Sequence, residues 1–111
     1  MKIETKKSGP DLEILELDGD LDFHSSPEVR SALSKLAEKQ TKKILIDLAK
    51  VSYIDSSGLA TFVELFQKLK RSGGKLILFN LNPTVRSVFE IAKLDSIFHL
   101  AVSEKEALAI H

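Results

Sequence analysis

Two runs of aliphatic and aromatic residues, Ile44-Leu45-Ile46, which Asp47 is expected to close, and Leu76 to Phe79, stand without polar interruption in a chain that is otherwise rich in charge. A strand with one wet face alternates apolar and polar residues, so an unbroken run of this length is the pattern of a strand covered on both faces. The cover has to come from neighbouring segments, and those segments carry helical periodicity. Val29, Leu33, Leu36 and Ala37 recur at i, i+4, i+7 and i+8 before the first run. Leu59, Phe62, Val63, Phe66 and Leu69 follow it, and Val85, Val88, Phe89 and Ala92 follow the second. Strand and helix alternate, which predicts a mostly parallel sheet with right-handed crossovers.

The ends of these elements carry their own signals. Ile3 to Lys6 and Leu12 to Leu17 read as two strands joined through Ser8-Gly9-Pro10, giving a hairpin edge. Ser26 is expected to cap the first helix, with Pro27 at its first position and Glu28 near the positive end of its dipole. The second helix stops at Gly73-Gly74 after Lys68, Lys70 and Arg71, and Asn82-Pro83 opens the third. A short strand near Ile97 and Phe98 precedes a last helix, where Ser103 and Glu106 have capping-box spacing. The predicted order is ββαβαβαβα: a single α/β domain over residues 1–111, with a mixed, mostly parallel sheet and about four helices.

Composition narrows the function. With 111 residues, 43% of them hydrophobic, there is material for one core. Lys plus Arg and Asp plus Glu both total 16, so the formal net charge of zero argues against direct nucleic-acid binding over the whole domain. Cysteine is absent, which excludes disulfides and thiolate ligands. His24, His99 and His111 share no metal-binding spacing, so no metal site and no cofactor are expected. No run approaches the roughly 18 apolar residues of a membrane span, and no signal-peptide stretch opens the chain, so a cytoplasmic location is expected.

In open α/β sheets functional groups collect beyond the C-terminal ends of the strands. Two polar clusters fall at such ends, Asp18-Gly19-Asp20-Leu21-Asp22 and Asp55-Ser56-Ser57-Gly58. If the loops face each other, Asp20 and Asp22 come near Ser56. Residue types leave two readings of the second cluster: an ordinary helix start, since Asp and Ser are good caps, or a regulatory phosphosite, since a phosphate at a helix N-terminus meets free N–H donors and a favourable dipole. The acidic loop is likewise either a solvated turn or a device that presents the serine. Hydrolytic catalysis by Ser56 is disfavoured because Ile54 occupies the place where a nucleophile elbow has glycine. Gly73-Gly74-Lys75 lacks the spacing of a phosphate-binding loop, so no enzyme is expected.

Three segments carry a family resemblance: Gly19-Asp20-Leu21-Asp22; Ile46-Asp47-Leu48 with Val51, Tyr53 and Ile54-Asp55-Ser56-Ser57-Gly58-Leu59; and Gly73-Gly74-Lys75-Leu76 with Asn82-Pro83. Together they resemble the STAS domain, and within it the bacterial anti-sigma factor antagonists. The resemblance implies a partner switch. The unphosphorylated protein binds an anti-sigma factor that is also a serine kinase and so frees the sigma factor; phosphorylation releases it, and a PP2C-type serine phosphatase resets it. The first serine of the motif is the family's acceptor, which implies Ser56 rather than Ser57, with Asp22 and Asp55 at acidic flanking positions. Asp20, Gly58 and the face of the second helix near Ser57, Ala60 and Thr61 are expected to line the partner surface. The alternative is an accessory STAS subunit of another complex, a lipid transporter or a stress-signalling assembly.

Overall fold

The computed structural model describes residues 1–110, so His111 lies outside it. The chain runs β1 (Lys2–Lys7), β2 (Glu13–Asp18), α1 (Ser26–Glu38), β3 (Lys43–Lys50), α2 (Ser56–Arg71), β4 (Lys75–Phe79), α3 (Pro83–Ile91), β5 (His99–Ala101) and α4 (Glu104–Ala109). The sheet has the spatial order β1-β2-β3-β4-β5, with β1 antiparallel to β2 and every other pair parallel. The predicted order and the hairpin edge are therefore present, and β3 is the central strand.

The sheet's two faces are unequal. Leu15, Leu17, Ile44, Ile46, Leu48, Leu76 and Leu78 face the main core, where Val29 and Leu33 of α1, Phe62, Leu65 and Leu69 of α2, and Val85 and Phe89 of α3 close over them. Phe62 and Phe89 stack at 6.3 Å, and Phe98 meets Phe89 edge-on at 5.7 Å. Each such side chain contributes about 1.5–3 kcal/mol on leaving water. The opposite face holds a smaller cluster of Ile14, Leu45, Ile77, Phe79 and Ala101, covered by Ala107 of α4. This double cover is the physical origin of the uninterrupted apolar runs in β3 and β4.

Beyond the reach of α4, the same face turns ionic. Lys6 Nζ lies 3.0 Å from Asp47 Oδ2 and 3.3 Å from Glu16 Oε2, and Lys50 Nζ lies 3.0 Å from Glu16 Oε1. Asp47 Oδ1 also accepts from the Ala49 N–H at 2.9 Å and from Asn80 Nδ2 at 3.2 Å. Burial alone would push the Asp47 carboxyl up, but the Ala49 N–H, Lys6 and Asn80 outweigh it and hold the group below its ordinary value. The Lys50 and Lys6 ammonium groups likewise hold Glu16 low.

Several local expectations need correction. Asp47 does not close its strand, because β3 continues to Lys50 with the Asp47 carboxylate fully partnered on the face away from the main core. Ser26 does not cap α1; it is the helix's first residue, and its hydroxyl donates to Asp22 O at 2.6 Å. The entry to α1 is instead held by Asp22, four residues earlier. The last strand begins at His99, and Phe98 turns into the core. The buried stripe of α2 is centred on Gly58, Thr61, Phe62, Leu65 and Leu69, with Leu59, Val63 and Phe66 only half-buried at its border.

Candidate functional site

Past the ends of β2 and β3 the two chains remain joined. Leu21 and Ile54 form a single parallel bridge, in which the Leu21 N–H donates to Tyr53 O at 2.9 Å and the Asp55 N–H donates to Leu21 O at 3.1 Å. Upstream, the Gly19 N–H donates to Lys50 O at 3.0 Å, with Gly19 at φ +126, a conformation that side chains other than glycine's resist. Both bridge side chains are buried. By the alternation of extended chain, Asp20, Asp22, Tyr53 and Asp55 fall on the opposite side of the bridge. The expected meeting of the two loops is therefore present, and backbone pairing makes it.

Asp55 is the hinge of this arrangement. It is the N-cap of α2 in extended conformation, and its Oδ1 accepts from the Ser57 N–H at 2.9 Å and the Gly58 N–H at 3.1 Å. These are two of the donors that a helix start leaves without partners. Its other oxygen, Oδ2, accepts from the Phe23 N–H at 3.1 Å. One carboxylate thus starts α2 and ties the acidic loop to it. The close approach depends on Gly58: a Cβ there would stand 2.8 Å from Leu21 O, Leu21 Cγ and Ile54 Cγ1.

Ser56, the first residue of α2, is exposed, and its hydroxyl enters no hydrogen bond among the described residues. Ser57 is half-buried, with its N–H on Asp55 and its carbonyl accepting from Thr61 Oγ1 at 3.0 Å. Thr61 was expected on the exposed face and is instead 1% exposed. Its hydroxyl bonds back into the previous turn, which is how a polar residue joins a buried stripe at little cost. Gly58 is buried with it, so the outward positions of the first two turns are Ser56 and Ala60.

The two loop aspartates differ in role. Asp22 Oδ1 accepts from the His24 N–H at 2.9 Å and the Ser25 N–H at 3.1 Å, while the Asp22 N–H donates to Ser25 Oγ at 3.0 Å. The Ser25 N–H above all holds the Asp22 carboxyl below its ordinary value. Asp20 is exposed and accepts from Ser52 Oγ at 3.1 Å. Neither aspartate hydrogen-bonds to Ser56; Asp55 is the carboxylate that joins the loop to the helix.

The sequence reading passed over Phe23. It is 73% exposed, and Tyr53 across the bridge is 51% exposed. It stands between aspartate and histidine in a turn and belongs to no apolar period, so no periodic signal singled it out. Among the described residues no cluster of three or more His, Cys, Asp or Glu side chains is arranged to hold a metal ion, and no helix is long and apolar enough to cross a membrane. An open cavity of about 420 Å³ lined by Gln67, Lys70 and Arg71 lies at the other end of α2.

A mixed five-stranded sheet with an antiparallel hairpin edge, and an exposed serine opening the helix after its central strand, define a small α/β domain. The STAS domain model matches residues 2–107, and the chain belongs to that family. It is 34% identical over 106 residues to the anti-sigma-B factor antagonist of Listeria monocytogenes, covering 96% of this chain and 93% of that one. The anti-sigma-B factor antagonist of Bacillus subtilis is 33% identical over 105 residues, covering 95% and 94%. Among solved structures, the Bacillus cell fate determinant SpoIIAA in its phosphorylated form has a TM-score of 0.75 at 25% identity, covering 96% of both chains.

Proposed function

We propose that this protein is an anti-sigma factor antagonist controlled by phosphorylation of Ser56. The unphosphorylated form binds an anti-sigma factor that is also a serine kinase and thereby frees a sigma factor. The kinase phosphorylates Ser56, the complex separates, and a PP2C-type serine phosphatase restores the hydroxyl. The observation that carries this reading is the exposed, unengaged Ser56 hydroxyl at the first position of α2, next to a cap that its own reaction does not require to break. The relatives named anti-sigma-B factor antagonist support it, as does the existence of SpoIIAA in a phosphorylated form.

Physically, phosphorylation adds about 1.5 to 2 negative charges to a surface that already carries Asp20, Asp22 and Asp55. At the helix start the dipole tolerates that charge, and the Asp55 cap already answers the Ser57 and Gly58 N–H groups, so the fold persists. In a desolvated interface the same charge has no such partner, and the cost falls on binding. The domain acts as a regulatory binding protein with no turnover of its own; it is the substrate of other proteins' chemistry.

Intact-mass spectrometry tests the acceptor. After incubation with ATP and the candidate anti-sigma kinases of its source, the protein should gain a single phosphate that is absent from Ser56→Ala and retained by Ser57→Ala. Phosphate that persists in Ser56→Ala would overturn the assignment.

A further inference from the structure

We infer that Phe23 and Tyr53 are the apolar anchors by which this site grips its partner, and that the partner surface is an apolar cleft with a cationic rim. The inference rests on the antagonist reading and adds to it the part of the surface that holds rather than switches. Single exposed apolar side chains are common and need no explanation. These two differ in where they stand. Phe23, 73% exposed, lies on the loop fastened to the start of α2, and Tyr53, 51% exposed, lies one residue before the bridging Ile54. They flank the bridge from its two strands.

Neither ring stands on loose backbone. The Phe23 N–H is held by Asp55 Oδ2 at 3.1 Å, the following His24 N–H by Asp22 Oδ1 at 2.9 Å, and the Tyr53 carbonyl by the Leu21 N–H at 2.9 Å. The Phe23 ring also meets the His24 imidazole edge-on at 5.9 Å. An aromatic ring on a fixed backbone loses little conformational freedom when it is buried against another protein, which is why such rings dominate binding energy. The charge around them selects the partner. Asp18 lies in register with Lys50 and is answered by it, but residues 19–24 and 52–58 hold Asp20, Asp22 and Asp55 and no lysine or arginine. A matching surface therefore places Lys or Arg side chains around the pocket that receives the rings.

The two parts of this surface predict different kinetics. Truncating a ring should speed dissociation, with the response to salt unchanged. Removing a rim charge should slow association and flatten its dependence on ionic strength. The test is surface plasmon resonance of unphosphorylated protein against the anti-sigma factors of its source, at several salt concentrations. Phe23→Ser and Tyr53→Ser should each raise the dissociation rate by about tenfold or more. Phe23→Leu should recover most of the loss, and Asp20→Asn, whose amide oxygen can still accept from the Ser52 hydroxyl, should change chiefly the salt slope. Wild-type binding that both ring variants reproduce, with folds intact by circular dichroism, would overturn the anchor while leaving the antagonist reading standing. Failure of the wild type to bind any of these anti-sigma factors would overturn both.

Discussion

Two clusters of charge sit on this domain, and they are built on opposite principles. On the sheet face beyond α4, Glu16 and Asp47 are buried and matched by Lys6 and Lys50, so the charges are answered by side chains of the opposite sign. At the ends of β2 and β3, Asp22 and Asp55 are answered by backbone N–H groups, which satisfy the carboxylates without neutralising them. The first cluster answers its two carboxylates with two ammonium groups, which keep their own access to water. The second keeps its negative charge, presents two aromatic rings and leaves a hydroxyl unengaged. Whether a group of charged residues acts as a staple or as a site depends on what remains after its internal bonds are made.

The sharpest division between the two should come from Ser56→Asp. A fixed charge in the interface costs about 3 kcal/mol of binding, or more than a hundredfold in affinity. The melting temperature should stay within a few degrees of the wild type, because a carboxylate at a helix start is well tolerated. Calorimetric titration with the anti-sigma factor, alongside thermal melting, measures both; equal affinity would remove Ser56 from the switch.

Asp47→Ala should give the converse result. It strips the acceptor from Lys6, from Asn80 and from the Ala49 N–H at once. Unfolding stability should fall by about 1–3 kcal/mol, the penalty of leaving such donors without partners, with Lys6 relieved by its access to water. Partner affinity should hold within about twofold, since sites without shared contacts behave independently. Urea unfolding provides the first number. A large loss of binding would show that the two clusters are coupled.

Acid should act in the same direction on the staple and on Asp22 at the site. Asp47, Glu16 and Asp22 are all held below the ordinary values of 3.8 for aspartate and 4.5 for glutamate. The unfolded chain then takes up protons first, so their stabilisation is fully present above those ordinary values and is lost as pH falls through the lowered ones. A stability profile by denaturant should therefore be flat down to about pH 4.5 and decline below it. Asp47→Asn should decline less steeply, and an identical decline would remove Asp47 from the account.

The two clusters also differ in how far the sequence disclosed them. The site loops are local: Asp18 to Asp22 and Asp55 to Gly58 are contiguous segments at strand ends, and turn and capping chemistry marks such segments. The staple joins Lys6 to Asp47 across 41 positions, and pairing over such distances leaves no periodic trace. Asp47 consequently read as the end of a strand that in fact runs on to Lys50. The burial of Thr61 and Gly58 was hidden for a related reason. Their place at the start of the helix that Ser56 opens suggested an outward face, but the Ser57 carbonyl satisfies the threonine hydroxyl and the glycine sits against Leu21. Phe23 escaped because it belongs to no stripe, and its meaning emerges only once its backbone is seen tied to Asp55.

The smallest effect separates the two jobs of Asp55. An aspartate has two acceptor oxygens, one on the Ser57 and Gly58 N–H groups and one on the Phe23 N–H; an asparagine has one. Asparagine caps helices as well as aspartate does, so Asp55→Asn should keep the start of α2 at a cost of about 0.5 kcal/mol. The remaining amide nitrogen is a donor and cannot accept from Phe23. Amide hydrogen exchange should therefore quicken at Phe23 while Ser57 and Gly58 keep their protection. If Phe23 exchanges at the wild-type rate, the loop is held by the Leu21–Ile54 bridge alone. If Ser57 and Gly58 exchange faster instead, the single oxygen has gone to the loop, and the cap is the weaker of the two contacts.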